Sequence, residues 1–279
     1  MTDIIEDAEQ KQAPVLLVPR SSDYPEISRA NVLGVRVHAI SMHRAVQFLD
    51  SAIAAGNKGY VCVTGVHGVI EAQKDPTFKA VLNRCLLTTP DGMPMVWVGR
   101  AQGHAHMGRV CGPDLLPAVC AMSSKKGYTQ FFYGGAEGVA QELERVLTRR
   151  FPELKIVGTY TPPFRPLSGE EEAELVHLVA TVKPHIFWVG LSTPKQERFM
   201  AEYIQKLDTR VMVGVGAAFD FHTGKIQDSP DWIKNAGLQW LHRLYQEPTR
   251  LWKRYLVNNP QFLAKITLQF LGLKDYGTL

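Results

Sequence analysis

One aspartate sits where chemistry is commonly placed. An apolar run stops abruptly at Pro90-Asp91-Gly92, and a basic, histidine-bearing segment follows it. Arg109-Val110-Cys111-Gly112-Pro113-Asp114 then leads into the next apolar run. A carboxylate at the end of a short strand, beside a glycine and near a basic loop, can take a proton from a bound hydroxyl. Asp91 is therefore read as a catalytic base, although an isolated aspartate of this kind is more often a turn residue than a base.

Other residues could serve the same pocket. Gly134-Gly135 lies between an apolar run and a helical one, where backbone N–H groups can receive a phosphate. It is not GxGxxG, and a turn that merely joins strand to helix fits as well. Gly190 to Gln196 (GLSTPKQ) is a second such junction, with Thr193 to Gln196 spaced as a capping box and Pro194 at the first helical position. It offers either capping alone or Lys195 and Gln196 to a ligand. No DxD or HExxH occurs, so no metal and no cofactor are expected. A diphosphate bound here would need Arg, Lys and helix N-termini to neutralise it. Arg109, Arg243, Arg250 and Arg254 are the candidates, although each taken alone is more often a solvated surface arginine.

The surrounding pattern supplies a scaffold. Residues 31–38 read as a short strand, and Ser41 can cap a helix over 45–55. Strands are expected at 59–66, 85–89, 129–133, 155–160, 185–189 and 210–215. Helices are expected from Val69, over 76–84 behind an Asp75 cap, and over 115–123, 137–151, 169–182 and 195–207. Short apolar strands alternating with helices predict an α/β, Rossmann-like, mostly parallel sheet with helices on both faces. Thr64, Asp91, Gly134-Gly135, Gly190 to Gln196 and Gly214 to Asp220 then share the carboxyl-end edge, where such sheets bind ligands.

Composition bounds the rest. With 279 residues, 45% of them hydrophobic, the chain can bury a large core. Residues 1–29 read as a flexible tail, 30–228 as the α/β core and 229–279 as a C-terminal helical appendage. The appendage is basic and amphipathic, with Trp232, Trp240 and Trp252 and a second helix opening at Pro248. Packing on the sheet or lying on a membrane surface both suit it, whereas no nucleic-acid-reading fold accompanies it. A net charge of +4 is mild. Cys62, Cys85, Cys111 and Cys120 show no CxxC pairing, so reduced buried thiols are expected. Neither a signal peptide nor an apolar run of the ~20 residues a span needs is read, which predicts a cytoplasmic protein.

Taken together the motifs resemble the bacterial WecG/TagA/CpsF glycosyltransferase family, over about Asn31 to about Phe262. The resemblance rests on Val63-Thr64, Pro90-Asp91-Gly92, Arg109 to Asp114, Phe132-Tyr133-Gly134-Gly135, Gly190 to Glu197, Gly214 to Asp220 and Trp240 to Pro248, in that order. It implies an inverting, metal-independent transfer of a hexose or N-acetylhexosamine from a UDP-sugar. The implied acceptor is a polyprenyl-diphosphate-linked saccharide at the inner membrane face, reached by peripheral association. It further implies Asp91 as general base, and Thr64, Arg109 and Gln196 lining the donor and acceptor pocket. Arg243, with Arg250 and Arg254, would reach over the diphosphate. Two departures stand out: Gly65-Val66-His67-Gly68 where many members carry Asn or Pro, and Pro94 where many read Asp-Gly-x-Gly. Both alter the pocket wall, so no sugar identity is carried over, and the chain reads more like the exopolysaccharide branch. A nucleotide-binding regulatory or scaffold protein that has lost transferase chemistry is the alternative. An NAD-dependent oxidoreductase fits poorly, because the Gly-rich turn comes late and lacks the dinucleotide spacing. Homo-oligomerisation is left open.

Overall fold

The structure, a computed structural model, describes residues 27–277, so nearly all of the tail expected over 1–29 lies outside the described residues. It opens with β1 (Arg29–Val32) and β2 (Val35–His38), paired antiparallel. One strand was expected over 31–38. The chain instead reverses at Leu33 and Gly34, which take φ of 54° and 81°, the left-handed pair that a two-residue hairpin turn requires. The hairpin is pinned to the sheet by His38, whose Nδ1 accepts the Thr88 N–H at 2.9 Å.

The elements that follow are α1 (Met42–Ala54), β3 (Gly59–Thr64), α2 (Val66–Lys74), α3 (Pro76–Arg84) and β4 (Leu87–Pro90). Ser41 and Asp75 cap α1 and α3 as their side chains foreshadow. Next come α4 (Met93–Ala101), α5 (Gly112–Lys126), β5 (Thr129–Gly134), α6 (Val139–Arg150), β6 (Lys155–Tyr160) and α7 (Gly169–Val182). A capping box between Ser168 and Glu171 starts α7. β7 (Ile186–Gly190), α8 (Lys195–Tyr203), β8 (Val211–Gly214) and the short α9 (Ala218–His222) complete the sheet region. α10 (Asp231–Asn235), α11 (Gln239–Gln246) and α12 (Pro248–Phe270) close the chain.

Two local expectations are corrected. The basic segment after Gly92 contains the helix α4. The box expected at Thr193 does not form: α8 starts after Pro194 without a side-chain cap, because the Thr193 hydroxyl donates to the Glu197 carboxylate instead, at 2.8 Å.

Six strands form one sheet in the order β4-β3-β8-β7-β5-β6, with every neighbouring pair parallel. Such a sheet needs cover on both sides, and the period-two side-chain alternation shows that it has it. Tyr60, Cys62, Phe131, Tyr133, Phe187, Val189 and Met212 enter one core cluster. Val61, Val63, Phe132, Ile186, Trp188, Val211 and Val213 enter the other. The buried Trp188 indole donates to Gln130 Oε1 at 2.7 Å across adjacent strands, so this polar pair is satisfied inside the core. Connections leave β3 toward one edge and β5 toward the other, with β8 and β7 between them. The carboxyl ends of these strands therefore open a crevice.

The C-terminal helices belong to this body. α12 packs along α2 and α11. Its Leu251, Asn258, Phe262 and Ile266, spaced as one helical face, are buried. Gln269 accepts from the Leu33 N–H and donates to the Asn31 carbonyl, both at 2.8 Å, tying α12 to the hairpin.

Candidate active site

Parallel pairing sets two of the nominated residues, Thr64 and Asp91, side by side. Register sets Thr64 opposite Pro90, and the Asp91 N–H donates to the Thr64 carbonyl at 3.0 Å. The base candidate is thus fixed by the neighbouring strand before its side chain does anything. The half-buried Asp91 carboxylate has no hydrogen-bond partner among the described residues. Burial raises it to about 6, against the opposing pull of Arg109 and Arg243 and with a further push from Asp114. A carboxylate left without donors and poised near neutrality suits proton abstraction.

Arg109 flanks it from the loop before α5. Its guanidinium bonds Asp114 Oδ2 at 2.8 Å, Cys111 Sγ at 3.0 Å and Gln239 Oε1 of α11 at 3.4 Å. It therefore links the sheet edge to the C-terminal helices. Thr64 is 2% exposed and its hydroxyl has no partner among the described residues, an orphaned polar atom beside Asp91.

Gln196 points inward. Its Oε1 accepts the Gly216 N–H at 3.0 Å and its Nε2 donates to Glu197 Oε1 at 2.9 Å, so it braces the loop after β8. Lys195, beside it, is exposed. Gly134 brings β5 against β7: a Cβ there would lie 2.6 Å from the Gly190 carbonyl oxygen, and φ is +121°. The Gly135 N–H is engaged by that same carbonyl at 3.1 Å.

The arginines divide into two kinds. Arg243 stacks over Phe221 at 5.0 Å and donates to Glu247 at 2.7 Å, leaving its buried Nε without a partner. Arg250 donates to the same carboxylate at 2.6 Å and is mostly exposed. Arg254 has neither an ion-pair nor a hydrogen-bond partner among the described residues. Burial lowers its pKa, and Arg250 and Arg243 add to that, while Tyr255 and Glu71 pull the other way. A half-buried guanidinium that no carboxylate contacts among the described residues is a place for an anion.

Four further residues belong here. Glu197 is 1% exposed with Oε2 unpartnered, and burial raises its carboxyl. Its place four residues after Thr193 was the available signal. Glu247 is legible from its spacing to Arg243 and Arg250. Tyr255 lies within electrostatic range of Arg243, Arg254 and Asp91, and burial raises its phenol. His67 bonds α12, and only the tertiary fold reveals it. No group of three or more His, Cys, Asp or Glu is placed to hold a metal ion among the described residues.

A chain from Bacillus spizizenii, described as an N-acetylglucosaminyldiphosphoundecaprenol N-acetyl-beta-D-mannosaminyltransferase, is 32% identical over 223 residues, 79% of this chain and 84% of that one. A Bacillus subtilis protein with the same description is 28% identical over 185 residues, 66% of this chain and 70% of its own length. The model of the glycosyl transferase WecG/TagA/CpsF family matches residues 30–276, and the chain belongs to that family.

Proposed function

We propose that this glycosyltransferase moves a hexose or N-acetylhexosamine from a UDP-sugar to a polyprenyl-diphosphate-linked saccharide in cell-surface polysaccharide synthesis, with inversion and without a metal. The observation that carries the reading is the Asp91 carboxylate, free of donors among the described residues, raised to about 6, and within electrostatic range of Arg109 and Arg243. In a single displacement Asp91 takes the proton of the acceptor hydroxyl as its oxygen bonds the anomeric carbon. The bond from that carbon to the diphosphate breaks on the opposite face, and its electron pair leaves with UDP. Arg243 and Arg254 then meet the charge developing on the leaving group, the role that a cation otherwise fills. The two relatives' descriptions, which name a lipid-diphosphate-linked sugar as acceptor, support the acceptor class.

Membrane association is part of the proposal. No helix of the described residues is long and apolar enough to cross a membrane. Trp232, Leu241, Trp252, Leu256 and Leu263 are all at least 48% exposed on the helices after β8. Apolar side chains among Arg250, Lys253 and Lys265 suit an anionic lipid surface and would bring the site to a lipid-linked acceptor.

The test is a panel of UDP-sugars offered with an N-acetylglucosaminyl-diphosphate-lipid acceptor in the presence of EDTA. UDP release with a matching mass gain in the acceptor is expected for one donor. UDP binding with no transfer across the panel would leave a nucleotide-binding protein without chemistry and end the proposal.

A further inference from the structure

None of the chemistry above uses His67. It occupies the first turn of α2, three residues after Thr64. Its Nε2 faces the Thr193 carbonyl at 3.4 Å, and a carbonyl can only accept, so Nε2 carries the proton. Nδ1 is then bare and accepts the Asn258 amide N–H of α12 at 2.8 Å. One neutral ring thus joins three elements.

The connections continue on both sides. Asn258 lies one turn after Arg254 on α12, on the same side of the helix. Beyond the ring, the Thr193 hydroxyl donates to Glu197 Oε1, Gln196 Nε2 donates to that same oxygen, and Gln196 Oε1 accepts the Gly216 N–H. Hydrogen bonds, joined covalently within Thr193, therefore connect α12 through α2 to the start of α8 and the loop after β8. Gly68 keeps it compact: a Cβ there would lie 3.3 Å from Thr64 Cγ2 and 3.8 Å from Thr193 Cγ2.

We propose that His67 is a positioning residue that locks α12 to the sheet edge and thereby sets Arg254 over the donor site. The inference rests on the proposed role of Arg254 in binding the diphosphate. Arg254 has no hydrogen bond or ion pair to hold it among the described residues, so its place is set by the helix that carries it. Its nearest fixed tie to the edge is one turn away, at Asn258. Losing the tie would let α12 shift, and small displacements of an oriented group carry large functional penalties.

The test is a double-mutant cycle read by UDP binding in calorimetry, with thermal melts to establish folding. His67→Ala is expected to weaken UDP binding about tenfold in the wild-type background and less than twofold in Arg254→Ala, because residues acting through one another are not additive. His67→Gln keeps one donor and one acceptor and is expected to recover most of the loss. Equal losses in both backgrounds would overturn the proposal and leave His67 a stability residue only. Should His67→Ala not fold, Asn258→Leu tests the same tie from the other side, with the same two outcomes. If Arg254→Ala by itself leaves UDP affinity unchanged, the diphosphate reading fails, and that result is separate from the behaviour of His67.

Discussion

Gly65 and Asp91 are packed so closely that a single methyl group would intrude between them. A Cβ on Gly65 would lie 2.9 Å from the Asp91 carbonyl oxygen and 3.4 Å from Oδ2. The Gly65 backbone is ordinary, with φ −113°, so alanine is not strained there; the conflict is with its neighbour alone. Gly65→Ala is therefore expected to fold while displacing the carboxylate. A fall in kcat of about 10–100-fold with little change in UDP affinity should follow. Wild-type turnover in the variant would show that the position of Asp91 is not critical.

Asp91 should trade stability against turnover. Its folded pKa of about 6 stands above the ordinary 3.8, so the ionised form is the one that folding disfavours. The penalty is absent below about 3.8, grows as pH rises, and is fully felt above about 6. Asp91→Asn is expected to stabilise the protein at pH 7.5 by on the order of 2–3 kcal/mol, a gap that closes as the pH approaches 4. The same variant should lose about 10²–10⁴ in rate. Wild-type kcat/KM should fall below about pH 6 as the carboxylate is protonated. Urea melts and rate profiles across that range check both halves.

Much of this site was written in the order of residues, and the reason is topological. Parallel strands end at one edge, so Thr64, Asp91 and Gly134 could be placed together once β3, β4 and β5 were recognised as strands. What stayed hidden depends on contacts made at a distance. α4 was obscured because Met93 to Gly99 is nearly all apolar, without the polar face that marks a helix, and because a proline sits at its second position. The hairpin was hidden by Leu33, whose positive φ no residue preference reveals. Gln196 was nominated as a group reaching a ligand, yet its amide is taken up by Gly216 and Glu197, partners 20 positions away and next door. Nothing near His67 in the sequence points to Asn258, 191 residues on.

The exposed side of α12 leads to a separate expectation. Trp252, Leu256 and Leu263 follow one another at spacings of four and seven, a stripe beside the buried face of Leu251, Phe262 and Ile266. Replacing Leu256 and Leu263 together by Glu adds two negative charges to that stripe without touching the core. Co-sedimentation with anionic vesicles is expected to drop several-fold, while the melting temperature stays within about 2 °C, as for surface substitutions generally. Raising salt should weaken the wild-type association in the same assay. Undiminished vesicle binding by the double variant would remove this face from the membrane contact.

The three arginines nominated for the diphosphate should not be equivalent, because their present partners differ. Arg250 is already paired with Glu247 and its side chain is 56% exposed, so solvent and a counter-ion satisfy it without a ligand. Arg243 shares that carboxylate but is stacked on Phe221 and keeps a buried, unpartnered Nε. Arg254 has burial and two like charges around it, only Tyr255 and Glu71 to pull the other way, and no ion-pair or hydrogen-bond partner among the described residues, so an incoming diphosphate relieves it most. Arg254→Ala is therefore expected to weaken UDP binding by roughly 30-fold or more, the range seen when a partly buried charged contact is truncated. Arg250→Ala should change it by less than about fivefold, with Arg243→Ala between them. Lysine at 254 keeps the charge but not the planar fork and should restore only part of the affinity. Calorimetry with UDP at two salt concentrations orders the three, and a larger loss at 250 than at 254 would reverse the assignment.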